Sequence, residues 1–173
     1  MILLDADPQV RGIASQPFWL HRHDGERVRR HAPDFFVRLA DGRGRVVDVR
    51  AADRVDDAAA EAFETTERAC RSVDWEFGRV GAVDPVLMGN MRWLSRYRRR
   101  RCLRRDVAER LLEGFREPAP LRPVALSVGD PLLVLPVLFH LLWSGFLVTD
   151  VTSRLLGSDS VVHTEARGRS WDG

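Results

Sequence analysis

The sequence predicts an α/β fold, with a mixed sheet and flanking helices followed by a small helical module. Three observations carry that expectation. Runs with strand-like alternation, bounded by turn residues, fill most of the first 50 positions. A stretch with apolar residues at three- and four-residue steps follows, through Ala59, Ala62, Phe63, Thr66, Ala69, Cys70 and Val73. Helical spacing returns beyond residue 103, and a short strand pattern follows it. A chain of 173 residues holds one medium domain or two small ones. Its 45% hydrophobic content is that of a globular protein and excludes a disordered chain.

The elements follow in order. Ile2-Leu3-Leu4, stopped by Asp5-Ala6-Asp7-Pro8, reads as the end of a helix. Residues 17–22 read as a strand, Asp24-Gly25 as a hairpin turn, and residues 26–31 as the returning strand. Residues 34–39 and 45–50 are two further strands, joined by the turn Ala40-Asp41-Gly42-Arg43-Gly44. A helix over 55–73 carries two i,i+4 pairs, Glu64–Arg68 and Glu67–Arg71, and residues 75–80 return as a strand. All five strands are expected in one sheet. Asp84-Pro85 opens a helix bearing Val86, Leu87, Asn90, Met91, Leu94 and Tyr97, which runs into Arg98-Arg99-Arg100-Arg101. A helix over Asp106 to Phe115, a proline-rich joint over Glu117 to Pro123, and an apolar helix near 131–143 come next. A shorter polar helix near Thr149 to Leu155 and a strand near Ser160 to His163 complete the reading. The expected division is 1–103 and 104–173, and the second part suits a winged-helix-like or other small helical module.

Pro131 to Val148 is 18 residues without a charged side chain, close to the minimum for a membrane span. His140, Ser144, Gly145 and two prolines interrupt it, and no arginine flanks it closely. A buried helix in a cytoplasmic protein is expected. Cys70 and Cys102 form no CxxC pair, which argues against a zinc knuckle, and reduced thiols are expected.

The formal net charge of +2 hides an uneven distribution, and every basic residue is arginine. Residues 1–90 carry 13 arginines against 16 acids, residues 91–122 carry 11 against four, and the remainder three against five. Arg92, Arg96, Arg98, Arg99, Arg100, Arg101, Arg104 and Arg105 crowd into one segment with Trp93 and Tyr97. Arginines at this density fit a phosphate backbone, and the two rings either stack on bases or form the helix's buried face.

Asp34 opens one predicted strand, and Asp48 and Arg50 close the next. Metal-assisted phosphodiester cleavage uses hard carboxylate ligands for Mg²⁺ or Mn²⁺. Side chains alternate along a strand, so Arg50 shares the parity of Asp48 and all three can converge. This is the layout of the PD-(D/E)xK nuclease core, with arginine where lysine stands. Arginine neutralises phosphate but does not hand over a proton. The plain alternative is an Asp34 turn cap and a surface Asp48–Arg50 pair. His21, His23 and His31 are a further set of metal ligands to weigh, against a solvated His-x-His pair. Glu64 and Glu67 are spare acids, against their helical ion pairs.

Ser15-Gln16-Pro17-Phe18, His31-Ala32-Pro33-Asp34-Phe35, Val47-Asp48-Val49-Arg50 and the helix from Ala59 to Cys70 together resemble the TnsA-like endonuclease subunit of heteromeric transposases, its actinobacterial branch above all. Pro136 to Trp143 followed by Asp150 resembles that family's winged-helix-like C-terminal part. The resemblance implies a restriction-endonuclease-like domain that cuts one strand at each transposon end with Mg²⁺ or Mn²⁺. It implies double-stranded DNA, an integrase-type transposase and an AAA+ ATPase regulator as partners. Asp34 matches the family's metal-binding Asp, Asp48 its second acid or Gln, Arg50 its Lys, and Gln16 the Gln that often begins the first strand. The family's helical metal-binding Glu would fall upstream of Met1. That position and Arg50 together lead to an expectation of weakened cleavage, or of a DNA-binding, bridging subunit that does not cut.

Overall fold

The computed structural model describes residues 1–24, 27–50 and 57–165. The chain forms two compact units that divide between Val83 and Asp84. The predicted division lay near residue 103. The helix that follows Asp84 belongs with the second unit because its Leu94 and Met91 join that unit's core.

The first unit begins with helix α1 (Ile2–Ala6) and runs through β1 (Val10–Ser15), β2 (Leu20–Asp24), β3 (Arg27–His31), β4 (Phe35–Leu39) and β5 (Gly44–Val49). Helix α2 (Asp57–Ser72) and strand β6 (Glu76–Val80) complete it. Four strands make a mixed sheet in the order β1-β4-β5-β6. The pairs β1–β4 and β4–β5 are antiparallel, and β5–β6 is parallel, closed by the α2 crossover. The predicted five-strand sheet is corrected in two ways. β1 was not foreseen, and β2–β3 pair with each other as a separate two-stranded sheet. The turn predicted at Asp24-Gly25 falls partly outside the described residues.

β5 is central and almost wholly buried, with Val46, Val47 and Asp48 at 1–2% exposure. Val37, Leu39 and Val47 form a core on one face, joined by Leu4 of α1 and by Val10 and Val80. α2 buries Ala59, Phe63, Thr66 and Cys70, its three- and four-residue stripe, and Phe63 packs against Phe77 of β6. Gly44 is required where β5 starts, because a Cβ there would lie 2.7 Å from the Phe36 ring. Phe36 in turn packs on Trp75 at 4.7 Å between centroids. On the outer side of α2 Arg71 pairs with Glu67 at 2.6 Å, while Arg68 turns to Thr65 and the Glu64 carbonyl.

The second unit holds α3 (Pro85–Leu94), α4 (Arg105–Gly114), β7 (Ala119–Pro120), α5 (Leu121–Val128), α6 (Pro131–Trp143), β8 (Leu147–Thr149) and β9 (Val161–Thr164). Two 3₁₀ turns, Ser95–Tyr97 and Arg100–Cys102, link α3 to α4. The sheet order is β7-β9-β8, all antiparallel. α3 and α6 start alike: Asp84 and Asp130 accept first-turn N–H groups and a proline follows each. Leu111, Phe115, Leu138, Leu141 and Val162 are fully buried in one core. Among the described residues no helix is long and apolar enough to cross a membrane, and the long apolar run divides into α6 and β8.

The helix predicted near Thr149 to Leu155 is corrected to the end of β8 and a turn. The Asp150 carboxylate accepts the N–H groups of Thr152 and Ser153 and the Thr152 hydroxyl, which competes with helical bonding. A hydrogen bond from the Ser153 side chain, together with those bonds, holds its carboxyl well below the usual range. Asn90, 2% exposed on α3, fixes the segment that follows. Its Nδ2 donates to the carbonyls of Val151 and Arg154, and its Oδ1 accepts from Leu156 N–H.

Candidate active site

The two predicted acids meet at one end of the β4–β5 pair. Phe35 faces Val47 in the antiparallel register, the last pair of the ladder, and Asp34 and Asp48 are the next residue beyond it on each side. Opposed residues of such a pair share a face, with Cβ atoms about 4.5–5.5 Å apart. The acids are also laced through the backbone. Asp34 N–H donates to Asp48 Oδ1 at 3.2 Å, and Val49 N–H donates to Asp34 Oδ2 at 2.7 Å. Pro33, buried and without an N–H of its own, brings the chain to this point, and Gln16 N–H holds the Asp34 carbonyl at 3.0 Å.

Asp48 is 2% exposed, and a carboxylate at that depth must be hydrogen-bonded. Its second donor is His31, whose Nε2 lies 2.9 Å from Oδ2. His31 is the last residue of β3, so the separate hairpin delivers its end to the sheet's acid. Phe63 of α2 meets the His31 ring edge-on at 6.5 Å, and the Arg79 guanidinium lies over Phe63 at 5.2 Å. Arg79 is also the Cα partner of Asp48 in the parallel β5–β6 register. Cys70 lies in reach of the same charge. Burial pushes its thiol up first, and the charges of Asp48 and Glu67 add to that.

Of the other predicted residues, Arg50 is exposed just past the end of β5, and its N–H bonds to the Val80 carbonyl. Gln16 is exposed, with φ at 45°, and reaches Asp34 through its backbone. Among the described residues no side-chain bond joins Arg50 or Gln16 to either acid. His21 is exposed on β2 opposite Arg30, away from the His31–Asp48 contact in register, and the side chain of His23 lies outside the description. Glu67 is held by Arg71. His31, Phe63 and Arg79 are the neighbours of Asp48 that the sequence reading did not assign to it.

Two acids on one face bear on a divalent cation. Among the described residues no three His, Cys, Asp or Glu side chains gather as a metal-holding group. Asp34 and Asp48 are nonetheless two hard oxygen ligands, which is what Mg²⁺ takes from a protein when waters and phosphate supply the rest. An ionised carboxylate has about four lone-pair sites. Asp48 gives two to His31 and Asp34 N–H, and Asp34 gives one to Val49 N–H. Acceptor capacity therefore remains on both, and His31 would brace a metal-binding carboxylate from behind. The pair fits the ion.

The predicted basic segment lies in the second unit. Arg92, Arg96, Arg98, Arg99, Arg100, Arg101, Arg104 and Arg105 are all exposed. They span the end of α3, both 3₁₀ turns and the start of α4, so no single helical face presents them. Arg104 makes a loose pair with Asp106 at 3.6 Å, and Arg98 donates to the Ser95 carbonyl. Arg96 lies over Trp93 at 5.1 Å. Trp93 is 41% exposed, and Tyr97 packs against Phe139 at 5.0 Å. Of the two rings, Tyr97 thus belongs more to the interior and Trp93 more to the surface. No protein-family model matches the chain, and no curated protein matches it.

Proposed function

We propose that the chain is the DNA-cleaving subunit of a heteromeric transposase, acting in the cytoplasm with Mg²⁺ or Mn²⁺ on double-stranded transposon ends. An integrase-type transposase and an AAA+ ATPase would be its partners. The observation that carries this reading is the lacing of Asp34 and Asp48 to each other's strand just beyond the Phe35–Val47 pair. The helix, antiparallel strands, crossover helix and parallel strand of the first unit fit a restriction-endonuclease-like core. The order α4-β7-α5-α6-β8-β9 with the sheet β7-β9-β8 fits a winged helix.

In this reading Asp34 and Asp48 hold the cation, and His31 orients Asp48. Bound there, such a cation would lower the pKa of a water and offset charge on the phosphate. Arg50 and Arg79, both exposed at the ends of neighbouring strands, neutralise the DNA backbone and hold it in line. The exposed arginines between Arg92 and Arg105 add affinity that is independent of sequence.

A second reading is a bridging subunit that binds DNA without cutting it. It is favoured by the two protein donors already on Asp48, and by the lack of a third acid beside the pair among the described residues. Nicking of a labelled transposon end in Mg²⁺ or Mn²⁺, with the partner transposase present, separates the two. Cleavage that Asp34→Asn abolishes while DNA binding persists supports the nuclease. Salt-sensitive binding with cleavage at background for both proteins supports the bridge, and absence of DNA binding removes both.

A further inference from the structure

Helices α5 and α6 form a helix–turn–helix pair, joined through Gly129 and Asp130. In a DNA-reading pair the second helix enters the major groove with polar and basic side chains. α6 is built otherwise. It reads Pro-Leu-Leu-Val-Leu-Pro-Val-Leu-Phe-His-Leu-Leu-Trp, without a charged residue. Its one polar ring, His140, is buried with Nδ1 2.7 Å from the Tyr97 carbonyl. What its first turn shows to solvent is Leu132 at 83% and Leu133 at 50% exposure. Such a surface has nothing to pair with base edges or phosphates.

Beside that turn lies a groove of about 390 Å³. Leu135 and Phe139 of α6, Leu126 of α5 and Trp93 of α3 supply its apolar lining, and Leu156 to Ser158 form a wall. Leu126 is 51% and Trp93 41% exposed. The groove is braced from behind. Asn90 holds Leu156 N–H, Arg122 N–H donates to the Ser158 carbonyl at 2.9 Å, and Leu121 N–H to the Ser160 carbonyl at 2.9 Å. A fixed apolar cleft of this kind binds with little ordering cost.

The rim carries positive charge. Arg122 lines the groove, and Arg96 is stacked on Trp93. Among the described residues neither guanidinium has an acid partner. An occupant must therefore bring apolar anchors for the lining and negative charge for the rim. A nucleic acid brings the charge and not the aliphatic anchors. An amphipathic peptide brings both, in the helix-in-groove manner.

We propose that the groove bounded by α3, α5 and α6 docks a short amphipathic segment of a partner protein, with at least two Leu, Ile or Phe anchors flanked by Asp or Glu. The full chain is tested against a display library of random peptides about 16 residues long, enough for four helical turns. Selected peptides carry apolar residues at three- and four-residue spacing with acidic flanks. A selected peptide loses roughly tenfold or more in affinity on Leu126→Glu and on Arg122→Glu, as for an interface hot spot. It loses as much when its acids become Lys or its anchors become Ser. Both protein positions are exposed, so the variants keep the parent melting temperature, and the two altered peptides read the effect on unaltered protein. The proposal is overturned by a selection that enriches nothing or enriches basic peptides. It is equally overturned by affinities that either protein variant leaves unchanged, or by a short duplex DNA that occupies the groove and displaces the peptide.

Discussion

Replacing Asn90 by Ala is expected to destabilise the second unit by about 3 kcal/mol. Asn90 makes three hydrogen bonds, two donated and one accepted, at 2.8–2.9 Å. A buried bond of this kind contributes about 0.5–1.5 kcal/mol net, so three give roughly 1.5–4.5. The upper end needs all three backbone partners to stay dry after the change. Arg154 is exposed and Val151 half-buried, so water recovers part of their bonding and the middle of the range applies. For a unit of this size about 3 kcal/mol lowers the melting temperature by roughly 12–24 °C. Urea titration followed by circular dichroism measures the loss, and amide exchange at Leu156 assigns it to this unit. A loss under about 1 kcal/mol, with Leu156 exchange unchanged, would refute the clamp and the range it was built from. Because Leu156 walls the apolar groove, the variant should also weaken peptide binding there.

The remaining predictions concern charge and protonation. Replacing Arg98 to Arg101 with Ala should weaken binding to unrelated duplexes as much as to transposon ends. It should also flatten the logarithmic salt dependence by about 0.9 for each phosphate left without its arginine. A sequence-selective loss in a gel-shift series would mean that these arginines read bases. The Cys70 thiol, pushed up by burial and then by Asp48 and Glu67, should stay protonated at neutral pH and resist iodoacetamide until the unit unfolds. The same shift has a sign for stability. The unfolded thiol loses its proton near 9.0, before the folded one, so stability is full below that value and declines as pH rises above it. Cys70→Ser should remove that decline from an alkaline denaturation series, and labelling of Cys70 in the native protein at the rate of a free thiol would contradict the burial.

The helix α6 was legible to the residue, because Asp130-Pro131 caps one end and the apolar run fills the next 13 positions. The β4–β5 pair was legible because Asp41-Gly42 forces a turn between two alternating strands, and Gly42 does sit at φ 89°. That pairing alone brought Asp34 and Asp48 together, so half of the candidate site could be read from local signals. β1 gave no such signal. Its exposure alternates poorly, with Arg11, Gly12, Ala14 and Ser15 all exposed at the sheet's edge, so no apolar period marks it. The hairpin β2–β3 was visible as two strands but not as a separate sheet, because alternation identifies a strand and not its neighbour. His31 was missed as the partner of Asp48 for that reason. Thr149 to Leu155 was misread because Asp150, Thr152 and Ser153 bond locally, and a composition suited to a polar helix suits such a turn equally.

The lacing of Asp34 and Asp48 changes what their presence in any copy of this protein can signify. Each carboxylate accepts a backbone N–H from beside the other, and so fastens the last rung of two central strands. A lineage that ceased to cut DNA would still lose folding stability by discarding either acid. Selection for a sound sheet then preserves the pair with no help from catalysis, and the two aspartates are a record of architecture before they are a record of activity. An alanine scan carries the same ambiguity into the laboratory, since a dead Asp34→Ala protein is also one with an unfastened strand. Asparagine keeps the acceptor oxygen and gives up the charge, which makes it the substitution that asks about chemistry alone.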